Sequence, residues 1–223
     1  MPSTQNAGLL RARASVALCR ERLAGRGAVR TGRALAVLVA AGFAAAAVVL
    51  RLADGTEARL EGLTAGAAPW VAWLAAVPLA LAAAEDRAAI DRRDGVEALA
   101  AVRGVWPAGL ESARALAAMT AIARAAGAPL VALALLTAAL ADRGAVALHR
   151  VAGAAGALCF AVVVGVTVGG IAAACGRMGR ARGRWLLAAV VVGPWALADL
   201  AGHGGWSIPG ALDAVRLFLF GGA

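Results

Sequence analysis

Val151-Ala-Gly-Ala-Ala-Gly-Ala-Leu-Cys-Phe160-Ala-Val-Val-Val-Gly165-Val-Thr-Val-Gly169-Gly170-Ile-Ala-Ala-Ala-Cys175 contains no charged side chain and no proline, and Thr167 is its one hydroxyl. About 20 such residues, rising 1.5 Å each in a helix, cover the roughly 30 Å hydrocarbon core of a bilayer. In that core each segment must satisfy its own backbone N–H and C=O groups, which an α-helix does. The stretch therefore predicts a transmembrane helix. Comparable runs occur at about 34–50, 63–84, 119–141 and 185–201, the third starting somewhere between Leu116 and Ala125. Of the 223 residues, 62% are hydrophobic, against roughly 45–50% in a soluble domain, and the mean hydropathy is +0.79. A water-soluble fold of this size has no interior large enough for that excess. The fold class expected is an all-α integral membrane protein, a polytopic bundle of about five transmembrane helices.

The charges between the runs give the orientation. Arg11, Arg13, Arg20, Arg22, Arg26, Arg30 and Arg33 precede the first run. Six more arginines, from Arg87 to Arg124, follow the second run, and Arg177, Arg180, Arg182 and Arg184 precede the fifth. The opposite segments hold Arg51, Arg59, Arg143, Arg150 and Arg216. Cytoplasmic loops carry the excess of basic residues, so the N-terminus is expected inside a plasma (inner) membrane. Residues 1–33 then form a cytoplasmic basic tail, 34–201 the transmembrane domain, and 202–223 an extracytoplasmic tail with a short interfacial helix from Pro209 to Phe220. Leu9, Leu10, Val16, Leu18 and Leu23 among the tail arginines suggest an amphipathic helix attracted to anionic membrane lipid. A disordered basic tail is the alternative. The net charge of +9 is accounted for by these loops, so no nucleic-acid partner is expected.

Few residues carry chemistry. The sequence has no Lys, so it cannot form a phosphate-binding P-loop, and any ATP-driven work must come from a partner. His149 and His203 sit at span ends without metal-ligand spacing, and no nucleophile or dinucleotide motif is present. No catalytic residue, metal or cofactor is expected. Cys19, Cys159 and Cys175 form no C-x-x-C pair and read as small hydrophobes. Asp199 is either an intramembrane functional group or a carboxylate reaching the outer headgroups. Gly165, Gly169 and Gly170 have the small-xxx-small spacing that lets helices approach closely, with a gating hinge as the alternative.

The most charged internal stretch runs from Glu85 to Arg124. Within it, Asp94-Gly95 is a break, after which Val96, Leu99, Ala100 and Val102 make one apolar side of a short helix flanked by Glu97 and Arg103. Such a helix, lying along the membrane, suits a groove on a soluble partner. A solvated loop with a helical extension is the alternative.

At this loop the chain resembles the ABC transporter type-two permease superfamily, which includes the haem-exporter permease of cytochrome c maturation. Its members carry a basic N-terminal elbow helix, two spans, a loop reading acid-x-x-x-x-Gly-(Thr/Ser)-Leu-Glu-x-Leu, and a four-span remainder with a basic loop in its middle. Here Gly8 to Arg33, Asp94 to Leu99, and Arg177 to Arg184 occupy those places. The loop is one residue shorter, and Arg114 is the nearest substitute for a late Lys. The resemblance implies a permease subunit that pairs with a second permease subunit and is driven by a cytoplasmic ATPase subunit. Asp94, Gly95, Val96, Glu97, Leu99 and Arg103 would then couple it to the ATPase. It also implies a sixth span, reached if residues 208–223 enter the bilayer. A membrane scaffold or assembly protein without transport is the alternative from a different class.

Overall fold

The computed structural model describes residues 4–53, 57–85, 93–102, 105, 107–141, 144–179, 182–201 and 207–220. Among these residues there are eight helices and no strand. They are α1 (Thr4–Ala24), α2 (Gly27–Leu52), α3 (Glu57–Ala83), α4 (Val96–Val102), α5 (Pro107–Ala139), α6 (Gly144–Gly179), α7 (Gly183–Leu200) and α8 (Ile208–Leu219). Four contain stretches long and apolar enough to cross a membrane: Gly27–Leu52, Gly62–Ala83, Gly109–Ala139 and Val146–Met178. The apolar stretch of α7, Gly183–Ala198, is shorter. The chain is thus an all-helical protein of multi-pass membrane character.

The helices extend past the apolar runs where the sequence supplies local starts and stops. Pro107 opens α5, because its fixed φ suits the first helical turn and its missing N–H costs nothing there. The helix therefore begins a full three turns before the run expected at 119–141. Likewise α2 takes Arg30 and Arg33 into its first turns, ahead of Ala34. Ser207 caps α8, its hydroxyl accepting from Gly210 N–H at 3.1 Å, with Pro209 in the first turn. In α1, Val16 and Leu23 share one line of the helix while Arg13 and Arg20 stand beside it. Polar and apolar residues interleave there, without a single apolar stripe. This helix packs chiefly against α5, with Leu23 buried.

The centre of the bundle is α6, which packs against α3, α5, α7 and α8, most extensively against α5. The α5–α6 pair stays in antiparallel register along its length. Gly165 and Gly169 meet Met119 and Ala123, Gly127 meets Ala161, and Arg150 meets Thr137. A Cβ added at Gly165 would stand 2.6 Å from Met119 O, and one at Gly169 2.8 Å from Met119 Cα. Only glycine permits so close an approach. The α2–α3 contact is built differently: Gly32 lies against the Pro78 ring and Leu74 O. That carbonyl is the one whose i+4 donor Pro78 has removed.

Arginines close the carbonyls that helix ends and prolines leave open. Arg150, almost fully buried at the start of α6, donates to Thr137 O in the last turn of α5 at 2.8 Å. Arg216 on α8 donates to Ala65 O at 3.2 Å, the carbonyl orphaned by Pro69 on α3. The other face of α8 is exposed at Leu217 and Phe218, while Leu212 is buried and Phe220 stacks edge-on against Phe160 at 6.2 Å.

Candidate functional site

One end of the bundle gathers the N-terminal ends of α2, α5 and α7, the C-terminal ends of α1, α3 and α6, and α4. Among the described residues, the pairs of Arg22, Arg26, Arg114, Arg177 and Arg184 with acids all lie here. Gly95 adopts φ +70°, a left-handed conformation that glycine tolerates without steric cost. It turns the chain from Asp94 into α4, and Leu99 N–H donates to Gly95 O at 3.0 Å. The start of this helix is tied down. Asp94 pairs with Arg22 at the end of α1, and Glu97 lies 3.9 Å from Arg114 of α5.

Beyond those ties, as before them, α4 has no buried residue. Val96 and Ala100 are half-buried, whereas Leu99 is 54% exposed and Val102 89%. The structure thus brings Asp94, Gly95, Val96, Glu97 and Leu99 together in one exposed element. Arg103, expected beside them, lies outside the described residues, as do residues 86–92, His203 and Trp206.

A second knot of charge lies beside it. Glu85, just past α3, pairs with Arg26 at the start of α2 and with Arg184 at the start of α7, the latter at 2.7 Å. The same arginines reach the last carbonyls of α3: Arg26 donates to Ala82 O at 3.1 Å and Arg184 to Leu81 O at 3.4 Å. C-terminal carbonyls carry the negative end of the helix dipole, so both cations act as caps as well as ion-pair partners. Gly183 and Gly176 make this junction possible, since a Cβ at Gly183 would fall 2.2 Å from Ala84 O and one at Gly176 2.9 Å from Ala83 O. A cleft of about 540 Å³ opens there, lined by Arg26, Gly27, Ala28, Leu81, Ala82, Glu85 and Arg184. Arg177 and Glu111, 3.0 Å apart, tie α6 to α5 at the same end.

The glycines singled out in sequence sit elsewhere. Gly165 and Gly169 form the α5–α6 seam, and Gly170 faces the tip of Met119. Sequence reading missed the Arg26–Glu85–Arg184 knot. Its signal was present in the unlike charges at the ends of separate helices, but which ends meet is a property of the packing. Arg124, the last residue of the charged stretch that begins at Glu85, falls inside the run expected at 119–141. It is exposed and lies within the apolar stretch of α5, between Ala123, which faces Gly165, and Gly127, which faces Ala161. This puts it level with the middle of the 151–175 run. Among the described residues no cluster of His, Cys, Asp and Glu has the arrangement of a metal site.

No family model, curated protein or solved structure matches the chain.

Proposed function

We propose that the chain is the membrane-spanning permease subunit of an ATP-driven ABC-type transporter, powered by a separate cytoplasmic ATPase subunit and paired with a second permease subunit. In this reading it lies in the plasma membrane with its N-terminus inside, α2, α3, α5, α6 and α7 are its five spans, and α8 lies at the outer interface. The observation that carries the proposal is α4, a short helix with exposed Leu99 and Val102, fixed to two other helices by Arg22–Asp94 and Arg114–Glu97. An apolar element held at the arginine-rich end suits a groove on a soluble protein. Its ties give motion of that protein a route to α1 and α5. Closure of the ATPase shifts the bundle only if α4 engages the two ATPase states differently.

The test is co-purification with an ATPase, which this reading expects to be encoded beside the chain. Leu99→Asp and Val102→Asp place charges on an already exposed surface, so the chain is expected to fold as before and to lose the ATPase. Retention of the ATPase by the double variant would overturn the coupling role of α4. Recovery of no ATPase with the parent chain would favour the scaffold reading.

A further inference from the structure

Two groups that hydrocarbon does not tolerate are left open on different helices. Arg124 is exposed on α5 and has no hydrogen-bond or ion-pair partner among the described residues. It is level with about Val164 of α6, since its neighbours Ala123 and Gly127 face Gly165 and Ala161. From the middle of a span the headgroups are about 15 Å away, beyond the reach of one arginine side chain. On α7, Pro194 removes the N–H that would serve Val190 O, and no side chain among the described residues replaces it. Val190 is itself 37% exposed, and Gly193 has nothing within 4 Å of an added Cβ, so this face of α7 is open to another helix. Pro129 frees Ala125 O in the same way, but Ala125 is buried in the bundle.

The two groups also match in depth. Gly183 begins α7 against Cys175 and Gly176 of α6, so Val190, further along α7, stands about 10 Å in from that end, level with Val168. Arg124 lies roughly 6 Å deeper at 1.5 Å per residue. A helical side chain leans toward the N-terminus of its helix, and α5 and α7 both begin at the arginine-rich end. The guanidinium is therefore carried back to the level of Val190 O. Within one chain the two stay apart, because α6 packs against both helices and these make no extensive contact with each other. At the same depth α6 exposes Val162 and Val166.

A second copy in the same membrane supplies what each group lacks. A two-fold axis along the membrane normal leaves depth unchanged. Placed beside the exposed face of α6, it sets α5 of one copy opposite α7 of the other. We propose that the chain forms this dimer, in which Arg124 of each copy donates to Val190 O of the other, and Val162 and Val166 pack about the axis. Hydrogen bonds between spans hold membrane helices together in this way. Asp199, the one acid in the five apolar runs, lies about 13 Å beyond Val190 along α7, so the carbonyl is the acceptor within reach. A dimer through α5 alone would instead bring two guanidinium groups together. The dimer rests on the five-span reading and makes the second permease subunit a copy of this chain. An ATPase that fails to co-purify leaves it standing, and a chain that stays monomeric leaves the role of α4 untouched.

The test begins with the full chain in native membranes. In a chain lacking Cys19, Cys159 and Cys175, Ala128→Cys, one turn past Arg124 and exposed, and Gly193→Cys are placed on differently tagged copies and co-expressed. Oxidation is expected to join the two tags, and Val166→Cys should cross-link to itself. Leu38→Cys, exposed on α2, should not. The hydrogen bond is tested by the dimer dissociation constant of the purified chain in detergent. Arg124→Leu should raise it roughly tenfold, the loss of two interhelical hydrogen bonds of ordinary strength. Pro194→Ala restores an N–H to serve Val190 O within α7, so it should weaken the dimer similarly, and Arg124→Leu should then add little. A monomeric parent chain, or cross-linking of Leu38→Cys as efficient as that of Val166→Cys, would overturn the dimer. Fully additive losses in the double variant would overturn the pairing of Arg124 with Val190 O. Cross-linking of Ala128→Cys to a different protein in place of the second copy would overturn the two-fold assignment.

Discussion

Gly165 and Gly169 set the closest approach in the α5–α6 seam, and their role is partly legible in sequence. The four-residue spacing is visible in the chain, but Met119 and Ala123, against which the two glycines rest, are identifiable only once α5 is known to run antiparallel to α6. The geometry makes a sharp comparison with Gly153, which lies on the same helix with nothing within 4 Å of an added Cβ. Gly169→Val should destabilise the chain by about 1–3 kcal/mol, the usual cost of forcing a side chain into a filled core. Gly153→Ala should be neutral or stabilise by up to about 0.5–1 kcal/mol, through lost backbone freedom in the unfolded chain. Thermal unfolding in detergent measures both, and equal effects would mean that the α5–α6 seam is not tightly packed. Arg124 shows the opposite limit of sequence reading. A single guanidinium can close a polar loop or ride within an apolar helix, and the start of α5 at Pro107 decides between them.

At the scale of elements, the arginines work as caps, and α8 depends on one. Pro69 removes the N–H that would serve Ala65 O, and Arg216 supplies a donor at 3.2 Å from another helix. The pair that Arg216 makes with Asp213 is half-exposed and contributes at most about 1 kcal/mol. The backbone contact therefore matters more, because a buried carbonyl without a donor costs about 1–3 kcal/mol. Arg216→Ala should lower stability by about that amount. Pro69→Ala in the same background should recover much of it, since residue 69 regains its N–H and bonds Ala65 O within α3. A double-mutant cycle by thermal unfolding gives the coupling, and additive losses would mean that Arg216 does not stand in for the missing donor. The existence and approximate span of α8 could be read from Ser207, Pro209 and the apolar spacing. Its attachment to α3 could not, because Ala65 and Arg216 are far apart in sequence. For α4, the Asp94-Gly95 break marked the start of the helix, whereas its anchoring by Arg22 and Arg114 required the folded bundle.

At the scale of the molecule, hydropathy alone separates the apolar runs, and four of the helices are long enough to cross a bilayer. The runs say less about α7. It starts at Gly183 against Cys175 and Gly176 of α6, and at 1.5 Å per residue its 18 residues advance about 27 Å, just short of a hydrocarbon core. Beyond its end, α8 packs on α6 at Gly156 and Phe160, filling the depth that a longer α7 would have crossed. If α7 is the fifth span, α8 lies on the side opposite α4. Single cysteines in a chain lacking Cys19, Cys159 and Cys175 test this with a membrane-impermeant maleimide on intact spheroplasts. Ala98→Cys on α4 should react only after permeabilisation, and Leu148→Cys at the start of α6 should react without it. Ala211→Cys, on the exposed face of α8, should follow Leu148→Cys. Labelling of Ala211→Cys together with Ala98→Cys would mean that α7 does not cross and that the count of five spans is wrong. Labelling of Ala98→Cys on intact spheroplasts would invert the orientation and remove α4 from the reach of any cytoplasmic ATPase.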